Sequence, residues 1–278
     1  SSPQTAGQQF DVSLTVEDAN GNEVSGFSGD LNLTLAKGGT ITPSTFTLES
    51  SSRTVSVTLT DAATEEQITA TADSDGSITG TSNTFDVEAG PAASVAVASQ
   101  PGASTAGQSI KGPFSEGQPS AVVRDANDNP VSGVDVTVSE AGGYTFDGGT
   151  TTVTTEGGGL ATFSDLQINT AATGYALEFA IDGADSGVAN DASAQSQPFE
   201  VTPAAADPST STIKAAASSI TADGSSTTTI TVQVKDQFGN DLTSGGETVT
   251  LSTDTGTIGS VLDDETGAYE ATLTSSTN

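Results

Sequence analysis

The chain has 278 residues, 36 of them acidic and 6 basic, which gives a formal net charge of −30 at pH 7, and it contains no Cys, Met, Trp or His. A charge of this sign repels nucleic-acid phosphates and anionic lipid headgroups, so we expect no nucleic-acid partner. Without Cys and His there is no disulfide framework, no thiolate zinc site and no Cys- or His-based nucleophilic triad.

Membrane insertion and export signals are not predicted either. No run of about 18 apolar residues occurs, which is the length that a membrane-spanning helix needs. The first ten residues, SSPQTAGQQF, have neither a charged start nor an apolar core, so the sequence predicts no targeting or anchoring segment.

The predicted elements are β-strands, because apolar and polar residues alternate along the chain. The first such strand contains Phe10, Val12, Leu14 and Val16. The same period of two recurs at Leu31/Leu33/Leu35, Val55/Val57/Leu59, Val134/Val136/Val138, Tyr175/Leu177/Phe179/Ile181, Ile230/Val232/Val234 and Tyr269/Ala271/Leu273. Clusters of Gly, Asn, Asp and Pro separate these runs, and no helix is predicted. The fold class is therefore all-β and antiparallel.

A repeated segment divides the chain into three units. Residues 16–26 read VEDANGNEVSG, residues 123–133 read VRDANDNPVSG and residues 234–245 read VKDQFGNDLTSG. Their first Asp residues, Asp18, Asp125 and Asp236, are 107 and 111 residues apart, the size of one Ig-like β-sandwich. A Thr-Ala-Gly-Gln marker at residues 5–8 and 105–108 supports the same frame.

The predicted domains are tandem Ig-like sandwiches. Unit one covers residues 1–89, unit two covers residues 90–206 with an insertion near residues 111–118, and unit three covers residues 207–278. In this frame unit one lacks the first strand that unit two has at residues 94–97, and unit three stops before its last strands. We therefore expect the chain to be a window on a longer array, the missing strands coming from the same polypeptide or from a neighbouring subunit by strand addition.

The sequence resembles the bacterial immunoglobulin-like repeats of the invasin and intimin type. The resemblance is most specific in unit three, through STIKAAASSITADGSSTTTITVQVKDQFGNDLTSGGETVTLSTDTGTI followed by DDETGAYEATLTS. Units one and two are similar through the TAGQ segment, the V-x-D-x-x-x-N turn and a closing F-x-V strand. The resemblance implies tandem sandwiches in surface adhesins, stalks and fibres.

The repeated segment has two interpretations. Asp18, Asn20 and Asn22, like Asp125, Asn127 and Asn129, have the one, three and five spacing of a calcium loop. No bidentate Glu follows at the twelfth position, and the third copy has Phe238 where the second ligand would lie. A tight turn tolerates these departures whereas a ligand set does not, so the turn is favoured and calcium stays the alternative.

Catalysis has no comparable signal. The acidic pairs at Glu65-Glu66 and Asp263-Asp264-Glu265 lie where hairpin turns are expected, and the protein is predicted not to be an enzyme and to need no cofactor. The Asn32-Leu33-Thr34 sequon is a candidate glycosylation site, because a strand with inward leucines turns Asn32 outward.

The charge is spread evenly, at −11, −11 and −8 over the three units. An evenly acidic surface keeps a protein soluble where salt screens its charge. The composition therefore favours a saline or halophilic setting. We predict a non-enzymatic extracellular structural protein, part of a cell-surface stalk, adhesin or fibre, whose partners are adjacent repeats or copies of itself. The alternatives are accessory modules of a secreted polysaccharide-degrading enzyme and a viral tail or capsid decoration module.

Overall fold

The structure is a computed structural model that describes residues 3–113, 117–183 and 191–277. Strands and turns make up the described chain, as the sequence predicted. The strands of unit one are Gln4–Thr5 (β1), Gln9–Thr15 (β2), Gly29–Leu35 (β3), Ile41–Thr42 (β4), Thr45–Leu48 (β5), Ser52–Leu59 (β6), Ala63–Glu66 (β7), Ile68–Ala72 (β8), Thr79–Thr81 (β9) and Phe85–Glu88 (β10).

Unit two follows this order with one additional strand at its start and with no strand equivalent to β4 among the described residues. Its strands are Ala92–Ser99 (β11), Ser104–Thr105 (β12), Ser120–Asp125 (β13), Asp135–Glu140 (β14), Thr152–Thr154 (β15), Leu160–Thr162 (β16), Ala172–Tyr175 (β17), Leu177–Ile181 (β18), Ala192–Gln195 (β19) and Phe199–Thr202 (β20). Unit three has Thr212–Ala215 (β21), Thr227–Gln233 (β22), Thr257–Ile258 (β23), Leu262–Asp263 (β24) and Ala268–Thr274 (β25).

Units one and two have matching sheets. The orders are β5-β3-β8-β9 and β15-β14-β18-β19 in one layer, and β1-β10-β7 and β12-β20-β17 at one side. The remaining sheets differ, because unit two has β11-β13-β16 whereas unit one has β2-β6-β4. Strand β2 therefore pairs with β6 alone among the described residues, and nothing occupies the place that β11 has beside β13.

The cores are apolar side chains that alternate inward from facing strands. In unit two β14 alternates exposed and buried residues throughout, and Phe163 packs on Phe179 with ring centroids 5.5 Å apart. Fully burying a Val, Leu or Phe side chain contributes about 1.5–3 kcal/mol. The buried residues of each cluster come from one unit, while the half-buried linker residues Ala89 and Ala206 pack against the cluster of the next unit. The unit boundaries themselves stay a prediction.

Two local expectations are wrong. The alternating run Tyr175 to Ile181 is two strands, because the chain switches sheets at Ala176: β17 pairs with β20, and β18 with β14. Glu65-Glu66 is likewise no hairpin turn, since it ends β7 just before β8. Glu66 is 1% exposed, and its carboxylate accepts the Lys37 and Gln67 N–H groups.

The predicted insertion near residues 111–118 lies partly outside the described residues, which omit 114–116. No helix in the described part of the chain has the length and apolar character required to cross a bilayer.

Candidate functional site: the turns that join successive units

The repeated D-x-x-x-N segment forms the same turn in all three units. In unit two Asp125 is the last residue of β13, and its Oδ1 accepts the Asn127 N–H (2.8 Å) and the Asn129 N–H (2.9 Å). A carboxylate that caps the following backbone in this way defines an Asx-type turn. In unit three Asp236 Oδ1 accepts the N–H groups of Phe238 and Asn240, each at 2.9 Å.

The turn requires a positive φ at its fourth position. Gly21 and Gly239 have φ of 81° and 86° there, and Asp128 has φ of 71°. Glycine adopts this conformation without steric cost and Asp is among the residues that tolerate it. The Gly, Asp and Asn content of the segment therefore follows from the backbone path.

Asn129 links unit two to unit one. Its side-chain Nδ2 donates to the Thr60 carbonyl (2.7 Å), and its Oδ1 accepts the Ala62 N–H (2.8 Å). Thr60 and Ala62 lie in the connection from β6 to β7, so one carboxamide satisfies a backbone acceptor and a backbone donor of the preceding unit. A carboxamide offers both functions on one planar, uncharged group.

Asn240 makes the same contacts between units three and two. Its Nδ2 donates to the Asn169 carbonyl (2.7 Å), and its Oδ1 accepts the Ala171 N–H (2.9 Å). Asn169 and Ala171 precede β17 as Thr60 and Ala62 precede β7. The two joints therefore use the same chemistry at equivalent positions.

The Asp residues of the turns in units two and three also hold the linker between units. Asp125 Oδ2 accepts the Gly90 N–H (2.8 Å) and Asn129 Nδ2 (2.9 Å). Asp236 Oδ2 accepts the Ala204 N–H and Asn240 Nδ2, each at 2.8 Å. Each carboxylate thus receives four N–H donors.

These Asp residues are ionised and buried. Asp125 is 4% exposed and Asp236 is 0% exposed. Burial raises the pKa of both carboxyls, but the hydrogen bonds from Asn129, Gly90 and Asn127 at Asp125, and the equivalent bonds at Asp236, outweigh it and leave both pKa values below 3.8. Charge-assisted hydrogen bonds of this kind are about twice as strong as neutral ones.

The third position of the turns in units two and three packs on a glycine of the preceding unit. A Cβ added to Gly107 would lie 2.4 Å from the Phe238 ring, and one added to Gly7 would lie 2.6 Å from Asn127 Nδ2. Both glycines belong to the Thr-Ala-Gly-Gln marker. The marker, which the sequence analysis used only to place unit boundaries, thus contacts the turn of the next unit, a role for which the residues carry no sequence signal.

The calcium candidates are engaged in these hydrogen bonds. The carboxylate of Asp125 receives N–H donors on both oxygens, and Asn129 Oδ1 accepts an N–H. In unit one Asp18, Asn20 and Asn22 are exposed, and Asp18 Oδ1 accepts the N–H groups of Asn20 and Asn22. Within the described ranges no cluster of three or more acidic side chains has a metal-binding arrangement. Calcium binding stays a prediction.

The glycosylation candidate Asn32 lies in β3, between β5 and β8. It is half-buried, and its side-chain amide donates to Asp73 (3.3 Å). Its modification also stays a prediction.

Comparison with known proteins supports the resemblance inferred from the sequence. Residues 207–278 match the family model for invasin domain 3. The structure of the Escherichia coli adhesin FdeC is similar, with a TM-score of 0.51 and 22% identity over 99% of this chain and 86% of that chain.

Two further structures are more distant. Invasin, described as a bacterial integrin-binding protein, has a TM-score of 0.44 and 17% identity over all of this chain and 53% of its own. InvD of Yersinia pseudotuberculosis has a TM-score of 0.41 and 16% identity over 84% of this chain and 67% of its own. No functionally curated protein is significantly similar in sequence. Residues 207–278 are therefore similar in sequence to invasin domain 3, and the chain as a whole is a series of Ig-like sandwiches with a fold similar to that of FdeC.

Proposed function

We propose that the protein is a non-enzymatic structural part of an extracellular surface adhesin, stalk or fibre, in which the joints keep successive Ig-like units at a fixed orientation. The observation that carries this proposal is that the same pair of side-chain hydrogen bonds to the preceding unit is found at both joints. Asn129 makes the pair at one joint and Asn240 at the other. The adhesin setting is supported by the similarity of unit three to invasin domain 3 and by the likeness of the fold to the adhesin FdeC.

The geometry of each joint resists both bending and twisting. The carboxamide makes two bonds to one loop of the preceding unit, the Asp carboxylate holds the linker, and the third-position side chain packs on a glycine. These contacts fix several separate points, so no single axis is left about which the units can rotate freely. Interfaces within a chain are otherwise small and allow relative motion by default.

The test is the double variant Asn129→Ala/Asn240→Ala. Each truncation leaves a carbonyl and an N–H of the preceding unit unpaired, at a cost of about 1–3 kcal/mol for each group that stays buried. In small-angle X-ray scattering we expect a broader distribution of interatomic distances and greater flexibility, with the far-ultraviolet circular dichroism of the units retained.

Asn20→Ala is the matched control, because this exposed turn residue donates only its backbone N–H to Asp18. Asn240→Asp is a second variant, which would place an acceptor against the Asn169 carbonyl. Scattering profiles of both joint variants identical to that of the Asn20→Ala control would contradict the proposal.

A further inference from the structure

The sequence contains one Asp-Pro peptide bond, Asp207–Pro208, in the connection that leads into unit three. Of the 10 prolines only Pro208 follows an Asp. An Asp carboxylate can reach its own carbonyl carbon by closing a cyclic anhydride, which makes it a nucleophile toward the bond that follows it. The nitrogen of that bond belongs to a tertiary amide, because the next residue is proline. Asp207–Pro208 is therefore the peptide bond of this chain with the chemistry for cleavage by its own side chain.

The carbonyl of this bond receives hydrogen bonds from four donors. The Ser211 hydroxyl donates at 2.8 Å and the Ser211 N–H at 3.2 Å. The Thr210 hydroxyl donates at 3.0 Å and the Thr210 N–H at 3.3 Å. A backbone carbonyl has two lone pairs, so two donors would satisfy it. The group of four lies where negative charge develops on the oxygen when the carbonyl carbon is attacked.

The Ser211 hydroxyl is the best placed of these donors. Its oxygen accepts the Lys235 N–H (3.0 Å), so its own proton is directed to the Asp207 carbonyl. The Thr210 hydroxyl shares its proton with the Asp236 carbonyl, which lies 2.7 Å away. The Asp207 N–H in turn donates to the Lys235 carbonyl (2.7 Å). Contacts within unit three thus fix the backbone on both sides of the Asp207 carbonyl.

The Asp207 carboxylate is held by one oxygen and is ionised. Oδ1 accepts the Ser209 N–H (2.8 Å) and the Ser209 hydroxyl (2.7 Å), and within the described residues no hydrogen bond to Oδ2 is found. The bonds from the Ser209 hydroxyl and N–H keep the pKa of this carboxyl below 3.8, so the nucleophilic form persists in mild acid. Asp207 is half-buried and Pro208 is exposed, so a solvent proton can reach the leaving nitrogen.

The charged groups around Asp207 do not neutralise its carboxylate. The Lys235 ammonium is engaged in an ion pair elsewhere. The Asp236 carboxylate accepts the N–H groups of its own joint, and Glu247 lines a surface pocket together with Pro208. No ion pair to Asp207 is found in the described part of the chain.

We propose that Asp207–Pro208 is a self-cleavage site, at which the Asp207 carboxylate breaks its own peptide bond in mild acid. A carboxylate oxygen bonds to the Asp207 carbonyl carbon, and the carbonyl oxygen takes the negative charge among the donors of Thr210 and Ser211. The C=O bond then re-forms as the C–N bond breaks, a solvent proton goes to the nitrogen, and Pro208 leaves as a secondary amine. Water opens the cyclic anhydride to two carboxyl groups on Asp207, so one water is consumed and nothing is oxidised or reduced.

Cleavage divides the polypeptide near the joint of units two and three without removing the contacts of that joint. Asn240 lies on one side of the cut, and its partners Asn169 and Ala171 lie on the other. The two fragments can therefore stay docked, so cleavage is measured after denaturation. This inference goes beyond the proposed function and does not depend on it.

The experiment incubates the full chain at about pH 4.5, where the Asp side chains of the joints are ionised, and follows cleavage by mass spectrometry of denatured samples. We expect fragments 1–207 and 208–278, with masses that add up to that of the chain plus one water. They should form at least about tenfold faster than the same cut in a synthetic peptide of residues 203–213, which lacks the fixed donors. Circular dichroism at the same pH checks that the chain is folded.

Two variants test the parts of the site. Asp207→Asn removes the nucleophile and should abolish the two fragments. Ser211→Ala removes the best placed donor and should slow their formation by at least about tenfold. Fragments that still form in Asp207→Asn would overturn the proposal, as would an unchanged rate in a folded Ser211→Ala variant.

Gln197→Asp provides a matched control inside the same molecule. It creates a second Asp-Pro bond, before Pro198, at an exposed position where the Ser196 hydroxyl is the donor found on the carbonyl among the described residues. This bond should be cut at about the rate of the free peptide, more slowly than Asp207–Pro208 in the same sample. Equal rates at the two bonds, or no cleavage at Asp207, would overturn the proposal. The masses are independent of joint rigidity, so this result and the scattering test of the proposed function can fail separately.

Discussion

At the residue scale, the residue at the fifth position of the turn both completes the turn and contacts the neighbouring unit. Asn129 and Asn240 each use the side-chain amide as donor and the side-chain oxygen as acceptor toward one loop. Asp at this position would lose the donor, and Leu would leave two backbone groups unpaired. The contact with the neighbouring unit therefore requires Asn at this position, as the turn does.

Acid should weaken the joints through Asp125 and Asp236. Their folded-state pKa values lie below the ordinary 3.8, so their contribution is fully present above about pH 4 and is lost as the pH falls through the folded-state pKa. Scattering between pH 7 and pH 2 should show the joints loosening only below about pH 4.

Asp236→Asn separates this effect from general acid unfolding. The variant places an amide donor against the Ala204 N–H and the Asn240 amide, so its second joint should be loose already at pH 7 and change less in acid. The same acid profile for variant and original chain would contradict the role given to Asp236.

Calcium should bind at most weakly to the turns, since no bidentate Glu follows and both Asp125 oxygens already receive N–H donors. Calorimetric titration should show no site with a dissociation constant below about 1 μM, the range of tight sensor and buffer sites. Submicromolar binding that Asp18→Ala or Asp125→Ala abolishes would instead support the metal interpretation.

At the element scale, alternation predicted the strands wherever one face meets the core throughout. Strands β3, β6 and β25 contain the predicted apolar sets Leu31/Leu33/Leu35, Val55/Val57/Leu59 and Tyr269/Ala271/Leu273. Alternation could not reveal the sheet switch at Ala176. A chain that passes from one sheet to another can keep the same alternation of inward and outward side chains across the switch.

Only part of the joint could be predicted from the sequence. The repeat identified the turn, since Asp, Asn and Gly have strong local preferences there. Its partner loops, Thr60 to Ala62 and Asn169 to Ala171, contribute backbone atoms only. A backbone carbonyl or N–H can come from almost any residue, so those positions carry no sequence signal.

The contact between turn and glycine predicts different effects for two similar substitutions. Gly107→Ala and Gly7→Ala both place Ala at a φ near +75°, where a side chain is strained by about 1–2 kcal/mol. The new methyl meets the Phe238 ring in the first variant and the end of the flexible Asn127 side chain in the second.

Gly107→Ala should therefore disturb its joint more than Gly7→Ala disturbs the other. Scattering or amide chemical shifts of the loop near Asn169 would measure the difference. Phe238→Ala combined with Gly107→Ala should recover part of the loss, and equal disturbance in the two single variants would contradict the packing argument.

At the scale of the whole molecule, repulsion among carboxylates opposes the compact state. The chain carries −30, and the two ion pairs found in the described residues, Arg124 with Asp128 and Lys235 with Asp241, offset little of it. Many carboxylates instead accept hydroxyl or N–H groups, as Asp223 does from Ser225 and Ser226. These bonds stabilise individual turns without reducing the net charge.

Salt should stabilise the protein. The Debye length falls from about 30 Å at 0.01 M to about 3 Å at 1 M, so molar potassium chloride should raise the melting temperature well above that in dilute buffer. Sucrose at matched osmolality is the control for general solute exclusion, which also favours compact states. Equal melting temperatures in low and high salt would contradict the prediction of a saline setting.

The pairing of the first and last strands of unit one has a mechanical consequence. Strands β1 and β10 are parallel neighbours, with Gln4 opposite Val87 and Thr5 opposite Glu88, and the Ala6 N–H continues the ladder to the Glu88 carbonyl. Tension on the two ends of the unit draws parallel neighbours past each other, so these bonds are strained together instead of opening one after another. A unit pulled at its two ends would thus resist as a ladder loaded in shear.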